Sequence, residues 1–431
     1  MSAGAKTRGS RAFVAAGVVW FACWNAAVLA GRPRTATVVL GLHGFVFGVI
    51  FGKAYALVPT YFDRQLAAPR APLVHLPLAI VGVGATYLGR AAESGGSGSV
   101  EATVLSALDS VLHTAPDTLP DTLVAVGAVA WLAGVLVFVA TLVASVRGNL
   151  TGSATGTSGP NIHRRRIDRA ANAVIPLVLG YLLWGSLVDA LVATAVVSPG
   201  DATVTVAGTT LALVPAGPAA SHVLAAGAAT LLLFGIGFRL LPRLLVGDPR
   251  PVLVGVTLAT GALAPAALVL DFQGGTLFTA GATLLAVAIA GYALTVIELV
   301  WRSERRRVGH GVVAVGAVFG LAGVALGWLL GVADLDFAYA EAHYRLAIGG
   351  FLGLTIVGVT YQFYPPAVGE YPGVGNRGAR VAAAAIGLGL VVDAVGVALT
   401  ASTVTRLGAG IALAGALAYA WIVLSIFYQR R

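Results

Sequence analysis

Residues 43–59 read HGFVFGVIFGKAYALVP, residues 222–242 read HVLAAGAATLLLFGIGFRLLP, and residues 343–365 read HYRLAIGGFLGLTIVGVTYQFYP. Each opens on histidine, runs through spaced glycines and closes on proline about one membrane thickness later. An apolar run of this length crosses a bilayer as a helix, because a helix rises about 1.5 Å per residue. The rest of the chain repeats the block length: apolar stretches fall at 11–31, 37–58, 72–91, 121–146, 172–196, 216–242, 251–270, 275–301, 311–332, 340–364, 380–400 and 406–428. The expectation is an all-α polytopic membrane protein of about twelve transmembrane helices. Residues 1–431 then form a single transmembrane domain in a lipid bilayer, and the three quoted segments are its second, sixth and tenth spans, four apart.

Of the 431 residues, 58% are hydrophobic and 10% charged, with a net charge of +9. In a soluble chain that balance points to nucleic acid. Here the basic residues gather in short loops beside apolar blocks, where they set orientation and imply no nucleic-acid partner. Lys6, Arg8 and Arg11, the segment His163–Arg169, Arg239–Arg250, Arg302–Arg307, Asn376–Arg380 and the terminal Arg430 and Arg431 alternate with acidic or neutral loops. Twelve spans put that basic set on one side, so both termini are expected in the cytoplasm of a multi-pass cell-membrane protein. Arg32 and Arg34 fall on the other side as exceptions. The first block follows a basic tip but lacks a small-residue cleavage site, so it reads as a span and not as a signal peptide. Cys23 stands alone, which excludes an internal disulfide and a cysteine metal cluster. The stretches Glu93–Val100 and Leu150–Pro160 read as flexible loops.

The three quoted spans all enter from the outer side, so His43, His222 and His343 are expected at similar depth, one to two turns below the outer surface. A single histidine at a helix end is as often a packing residue as a functional one, yet polar groups at membrane depth are costly and three in a periodic pattern call for a purpose. Two neutral imidazoles from opposed helices can hold a heme iron whose macrocycle suits an apolar bundle. His75 and His310 begin spans on the inner side, His113 and His163 lie in loops, and all four read as packing or solvated residues.

With His43-Gly44 opening the second span and Glu341-Ala342-His343-Tyr344 opening the tenth, followed by a Tyr-x-x-Tyr-Pro ending, the chain resembles subunit I of the heme-copper oxidases. The resemblance implies three pseudosymmetric quartets of helices with ligands on helices 2, 6 and 10. It implies a low-spin heme, b-type, on His43 and His343, and a partner that delivers electrons, a donor protein or quinol. In that family the tenth helix carries His-x-His-Tyr, and Glu341 stands where the high-spin heme ligand would be. The sixth span has His222 but Ala226 in place of the family's tyrosine, and the seventh, Pro251–Leu270, has no histidine for the copper site. Oxygen reduction as the oxidases perform it is therefore not expected. The sixth segment, with Arg239 and the exit Gly247–Pro251, is more loosely similar to the NnrS family, heme- and copper-containing membrane proteins linked to nitric oxide metabolism.

Arg345 beside His343, with Arg406, Arg32 and Arg34 in outer loops, is suited to heme propionates, since arginine recognises carboxylates in a fork; headgroup contact is the plainer reading of Arg32 and Arg34. Glu341 precedes His343 by two positions, about 200° around the helix, so the two face different sides. Glu341 and His222 together make an incomplete second site for copper or another non-heme metal. Asp189, Asp393 and Lys53 are further ionisable groups at membrane depth, suited to a proton path or a heme edge. The function expected is electron transfer, or a response to nitric oxide or redox state. The alternative is a twelve-span secondary transporter without cofactor.

Overall fold

The computed structural model describes residues 2–92, 101, 103–104, 106–107, 118–150, 152, 154–155, 162–199, 202–206, 209–215, 217–272, 275–333 and 337–430. His113, the Gly-rich loop after Glu93 and most of the loop after Leu150 lie outside the described residues. Twelve helices are long and apolar enough to cross a membrane: α1 (Thr7–Leu29), α2 (Arg34–Tyr61), α3 (Ala71–Ala92), α4 (Leu119–Asn149), α5 (Ile162–Ala193), α6 (Pro218–Leu245), α7 (Pro251–Leu270), α8 (Thr276–Arg302), α9 (Val308–Val332), α10 (Ala338–Phe363), α11 (Asn376–Ala398) and α12 (Ser402–Gln429). The protein is an all-α, multi-pass membrane protein.

The three His-to-Pro helices form the centre of the bundle. In each of α2, α6 and α10, 78% of the most apolar window is buried inside the protein, against 39–56% in the other nine. Those nine close a ring by successive contacts of α1, α3, α4, α5, α7, α8, α9, α11 and α12, with α12 returning to α1. Each central helix thus has three ring helices around it, a threefold arrangement. A helix apolar on every side belongs in such an interior, and its glycines let neighbouring backbones approach closely.

All three central helices depart from α geometry at matching places. Val39–Phe47, Val223–Thr230 and Leu346–Leu354 are π-helical, and their backbones return to α geometry at Gly48, Leu231 and Thr355. The first π segment touches both of the others. A π turn inserts a residue into the ladder and re-aims the side chains beyond it, and such turns concentrate at functional sites.

The structure differs from the sequence expectation in several places. α5 begins ten residues early: Arg165–Ala173, expected as a basic loop, is helical, and the helix breaks at Val174 ahead of Pro176 before resuming over Ile175–Ala193. The reason is tertiary. Asp168 on this extension is 2% exposed and receives Arg243 through two hydrogen bonds of 3.1 and 2.6 Å, so the arginine-rich segment folds back onto α6. An antiparallel pair, β1 (Thr203–Val206) with β2 (Thr209–Ala212), occupies the connection between α5 and α6. Arg406, expected in a loop, lies within α12 and is exposed.

Candidate functional site

Measured from the π segments, the three histidines are not level. His43 is the fifth residue of its segment, whereas His222 stands one residue before its segment and His343 three before. At about 1.5 Å per residue His43 sits roughly 8–10 Å nearer the end of the bundle that carries the termini. Its ring packs on Trp131 of α4, with centroids 4.7 Å apart, and on Phe47, and its Nε2 faces the Asp189 carboxylate of α5 at 3.7 Å. Its Nδ1 is buried without a hydrogen-bond partner. The expected companion of His343 thus points toward α4 and α5.

His343 meets His222 instead. The two rings lie 6.0 Å apart between centroids with their planes only 7° from parallel. Each is oriented through Nδ1: that of His343 lies 2.8 Å from the Gly323 carbonyl oxygen on α9, and that of His222 lies 2.6 Å from the Pro218 carbonyl oxygen at the start of α6. A carbonyl oxygen only accepts, so Nδ1 carries the proton in both rings and the lone pair falls on Nε2. Neither Nε2 has a hydrogen-bond partner among the described residues. A backbone carbonyl on the far nitrogen is the usual means of fixing a metal-binding imidazole. Phe272 flanks His222, with centroids 5.3 Å apart. Gly327 makes the seat for His343: a Cβ there would stand 2.5 Å from the ring's Cε1.

The polar groups around the pair form an ion network. Glu341, expected beside His222, is paired with Arg34 at 3.5 Å and with Arg345 at 3.9 Å. Arg345 in turn binds Asp393 of α11 at 2.5 Å. Arg345 Nε and Asp393 Oδ2 are buried without a hydrogen-bond partner. Arg345 is therefore near the histidine pair with its charge already opposed, and Arg32 pairs with Glu101 at 2.5 Å. Tyr344, next to His343, accepts a hydrogen bond from Trp24 Nε1 and ties α10 to α1. The Asp393 and Gly323 contacts were not foreseen; the signal for the first was an aspartate inside an apolar block.

Among the described residues, no group of three or more His, Cys, Asp or Glu side chains is arranged to hold a metal ion. The donor set is thus two imidazoles, and any iron or copper there must bring most of its coordination with it. A porphyrin supplies four in-plane nitrogens and needs two axial ligands. The pair therefore suits a bis-histidine group by donor chemistry, with Nδ1 of each ring held by a carbonyl and Nε2 left as the donor. No family model and no curated protein matches the chain.

His75 and His310 are buried, at 0% and 4% exposure. His75 takes a contact from the Tyr55 hydroxyl at 3.1 Å inside a box of Phe13, Phe51 and Phe138. His310 Nδ1 lies 3.0 Å from the Arg305 carbonyl oxygen. Both belong to local packing and neither approaches the pair.

Proposed function

We propose that this is a heme-binding membrane protein that holds a low-spin heme between His222 and His343. Its role is in electron transfer, or in a response to nitric oxide or redox state, within a cell membrane. The reading keeps the heme and the helix 10 ligand expected from the resemblance to heme-copper oxidase subunit I, and it exchanges His43 for His222. The observation that carries it is the near-parallel pair of imidazoles at 6.0 Å, each fixed through Nδ1 by a backbone carbonyl. When bound, the heme supplies a one-electron redox centre. His222 and His343 would hold it through their imidazole nitrogens, with the α9 glycine seat and the Arg34, Glu341, Arg345 and Asp393 charges nearby. Held by both imidazoles, such a heme would serve electron transfer and not oxygen reduction.

The test is the optical spectrum of protein purified from heme-sufficient cells, oxidised and dithionite-reduced. Sharp alpha and beta bands with little carbon monoxide binding are expected. His222→Ala or His343→Ala should abolish those bands or leave a carbon monoxide-reactive heme, while His43→Ala, His75→Ala and His310→Ala should retain them. Wild-type protein without heme refutes the proposal. Loss of the bands in His43→Ala together with their retention in His222→Ala restores the His43 and His343 pair instead. Elemental analysis of the same variants reports on a non-heme metal at His222 and Glu341.

A further inference from the structure

Between α2, α6 and α10, on the terminus-bearing side of the π segments, runs a narrow cavity of about 80 Å³ available to the centres of water-sized spheres. It follows α2 from Val46 to Leu57, a length of about 16 Å. So small a volume spread over that length suits a single extended chain. The exposed wall is almost wholly apolar.

One lining residue carries a charge. Lys53 Nζ donates to the Tyr364 hydroxyl at 2.8 Å and lies 4.2 and 4.0 Å from the ring centroids of Phe363 and Tyr364, the placement of an ammonium over aromatic faces. No carboxylate pairs with it among the described residues. Arg11 is near enough to add a second positive charge, and its own hydrogen bond goes to a main-chain carbonyl, that of Arg430, at 2.8 Å. Intramembrane cations are ordinarily met by a counter-charge. Further along the cavity, Tyr292 and Thr355 are both fully buried and their hydroxyls have no hydrogen-bond partner.

We propose that this cavity binds a single-chain anionic amphiphile, a long-chain carboxylate with its head at Lys53 and its chain directed toward the π segments. The cavity's width selects an unbranched chain, its wall selects hydrocarbon, and the positive charges of Lys53 and Arg11, unopposed by a carboxylate among the described residues, select an acid over an alcohol or ester. The same chemistry is met by a free carboxylate or by one chain of an anionic bilayer lipid.

A long-chain carboxylate labelled with carbon-13 at its carboxyl carbon, added to the full-length protein in nanodiscs of neutral lipid, gives a carboxyl nuclear magnetic resonance component shifted from that of the lipid-dissolved acid when it binds. Wild-type protein should show this component, and the methyl ester of the same probe should not. Unlabelled dodecanoate should compete and dodecanol should not. Lys53→Met should weaken binding about tenfold, the value of one hydrogen bond to a charged group, while Lys53→Arg retains it. Displacement of the probe by an anionic phospholipid identifies a bilayer lipid as the occupant, and its failure to displace identifies the free acid. Equal binding of ester and acid, or undiminished binding in Lys53→Met, overturns the proposal. The ester comparison needs no variant, so misfolding of Lys53→Met does not protect the proposal.

Discussion

Replacing Arg239 with methionine should destabilise the bundle by about 3–5 kcal/mol. Arg239 is 6% exposed; its Nη1 donates to the Tyr61 carbonyl oxygen at 2.5 Å and to Asn172 Oδ1 at 2.6 Å, and its Nε lies 3.5 Å from Asp168 Oδ1. Each hydrogen bond from a charged donor contributes roughly 1.5–3 kcal/mol. Asp168 keeps its two hydrogen bonds to Arg243 in the variant, so the loss is chiefly the clamp between the end of α2 and the α5 extension. Asp168→Asn should be at least as damaging, because two adjacent guanidinium groups then share no carboxylate. The double variant should be less unstable than the sum of the two by more than about 1 kcal/mol, as for residues in one network. Cys23 is the only cysteine, so a thiol-reactive dye reports unfolding from a single site. At roughly 2–4 °C per kcal/mol, Arg239→Met should lower the midpoint by about 6–20 °C. A shift below about 2 °C, or additive single variants, would show that the cluster is a surface feature and not a lock.

Four further outcomes are expected. Gly327→Ala places a methyl group where His343 Cε1 stands, and should displace the ring, alter the heme bands and cost roughly 1–3 kcal/mol, read from spectrum and melting together. Tyr344→Phe leaves the buried Trp24 Nε1 without its acceptor and should cost about 1–3 kcal/mol in a thermal melt. The carboxyl of Asp248, in the connection between α6 and α7, is held below its ordinary range first by the hydrogen bond from Arg164 and then by the charges of Arg164 and His163, against partial burial. A depressed folded-state value means that its contribution is present above the ordinary carboxylate range and lost as pH falls through the depressed value. Since the side chain is 61% exposed, solvent screening should keep Asp248→Asn within about 0.5 kcal/mol of wild type at neutral pH, and the two should converge in acid. Finally, a cysteine reporter at Arg305 should be cytoplasmic and one at Val196 external; both on one side would overturn the span count.

Much of the fold was legible because lipid imposes a length. Each apolar block near 20 residues had to become a helix, and the repeat from His43, His222 and His343 marked out three spans, which the structure places at the centre of the bundle. The ends were less legible. Arg165–Ala173 reads as a solvated basic run until Asp168 is seen to be held by two arginines of α6, a partnership 75 residues away. The Thr203–Ala212 hairpin had a faint signal in its alternating threonine and valine, but the segment is too short to outweigh the expectation of a loop. The histidine geometry was half legible. His43, His222 and His343 precede their prolines by 16, 20 and 22 residues, which already separates His43 from the other two. The π turns were not legible, since nothing in local composition dictates a one-residue shift in a hydrogen-bond ladder; it arises where three glycine-rich helices meet.

The closing contact of the ring, α12 against α1, joins helices that are synthesised far apart in time. Arg11 reaches the carbonyl of Arg430 at 2.8 Å, so the first and last helices meet across nearly the whole chain. α2 leaves the ribosome long before α6 and α10 exist; its Gly44, Gly48 and Gly52 can already pack on α1, whereas His43 and Lys53 wait for partners made later, Trp131 and Tyr364. A truncated product lacking α12 would leave α1 open along one side, the kind of unpaired surface that invites mispairing and proteolytic triage. The same adjacency brings the termini together on one face of the membrane. A short linker joining them, with new ends cut into the connection between α6 and α7, should yield a permuted chain in which α12 and α1 are made consecutively and the ring no longer waits for its last member.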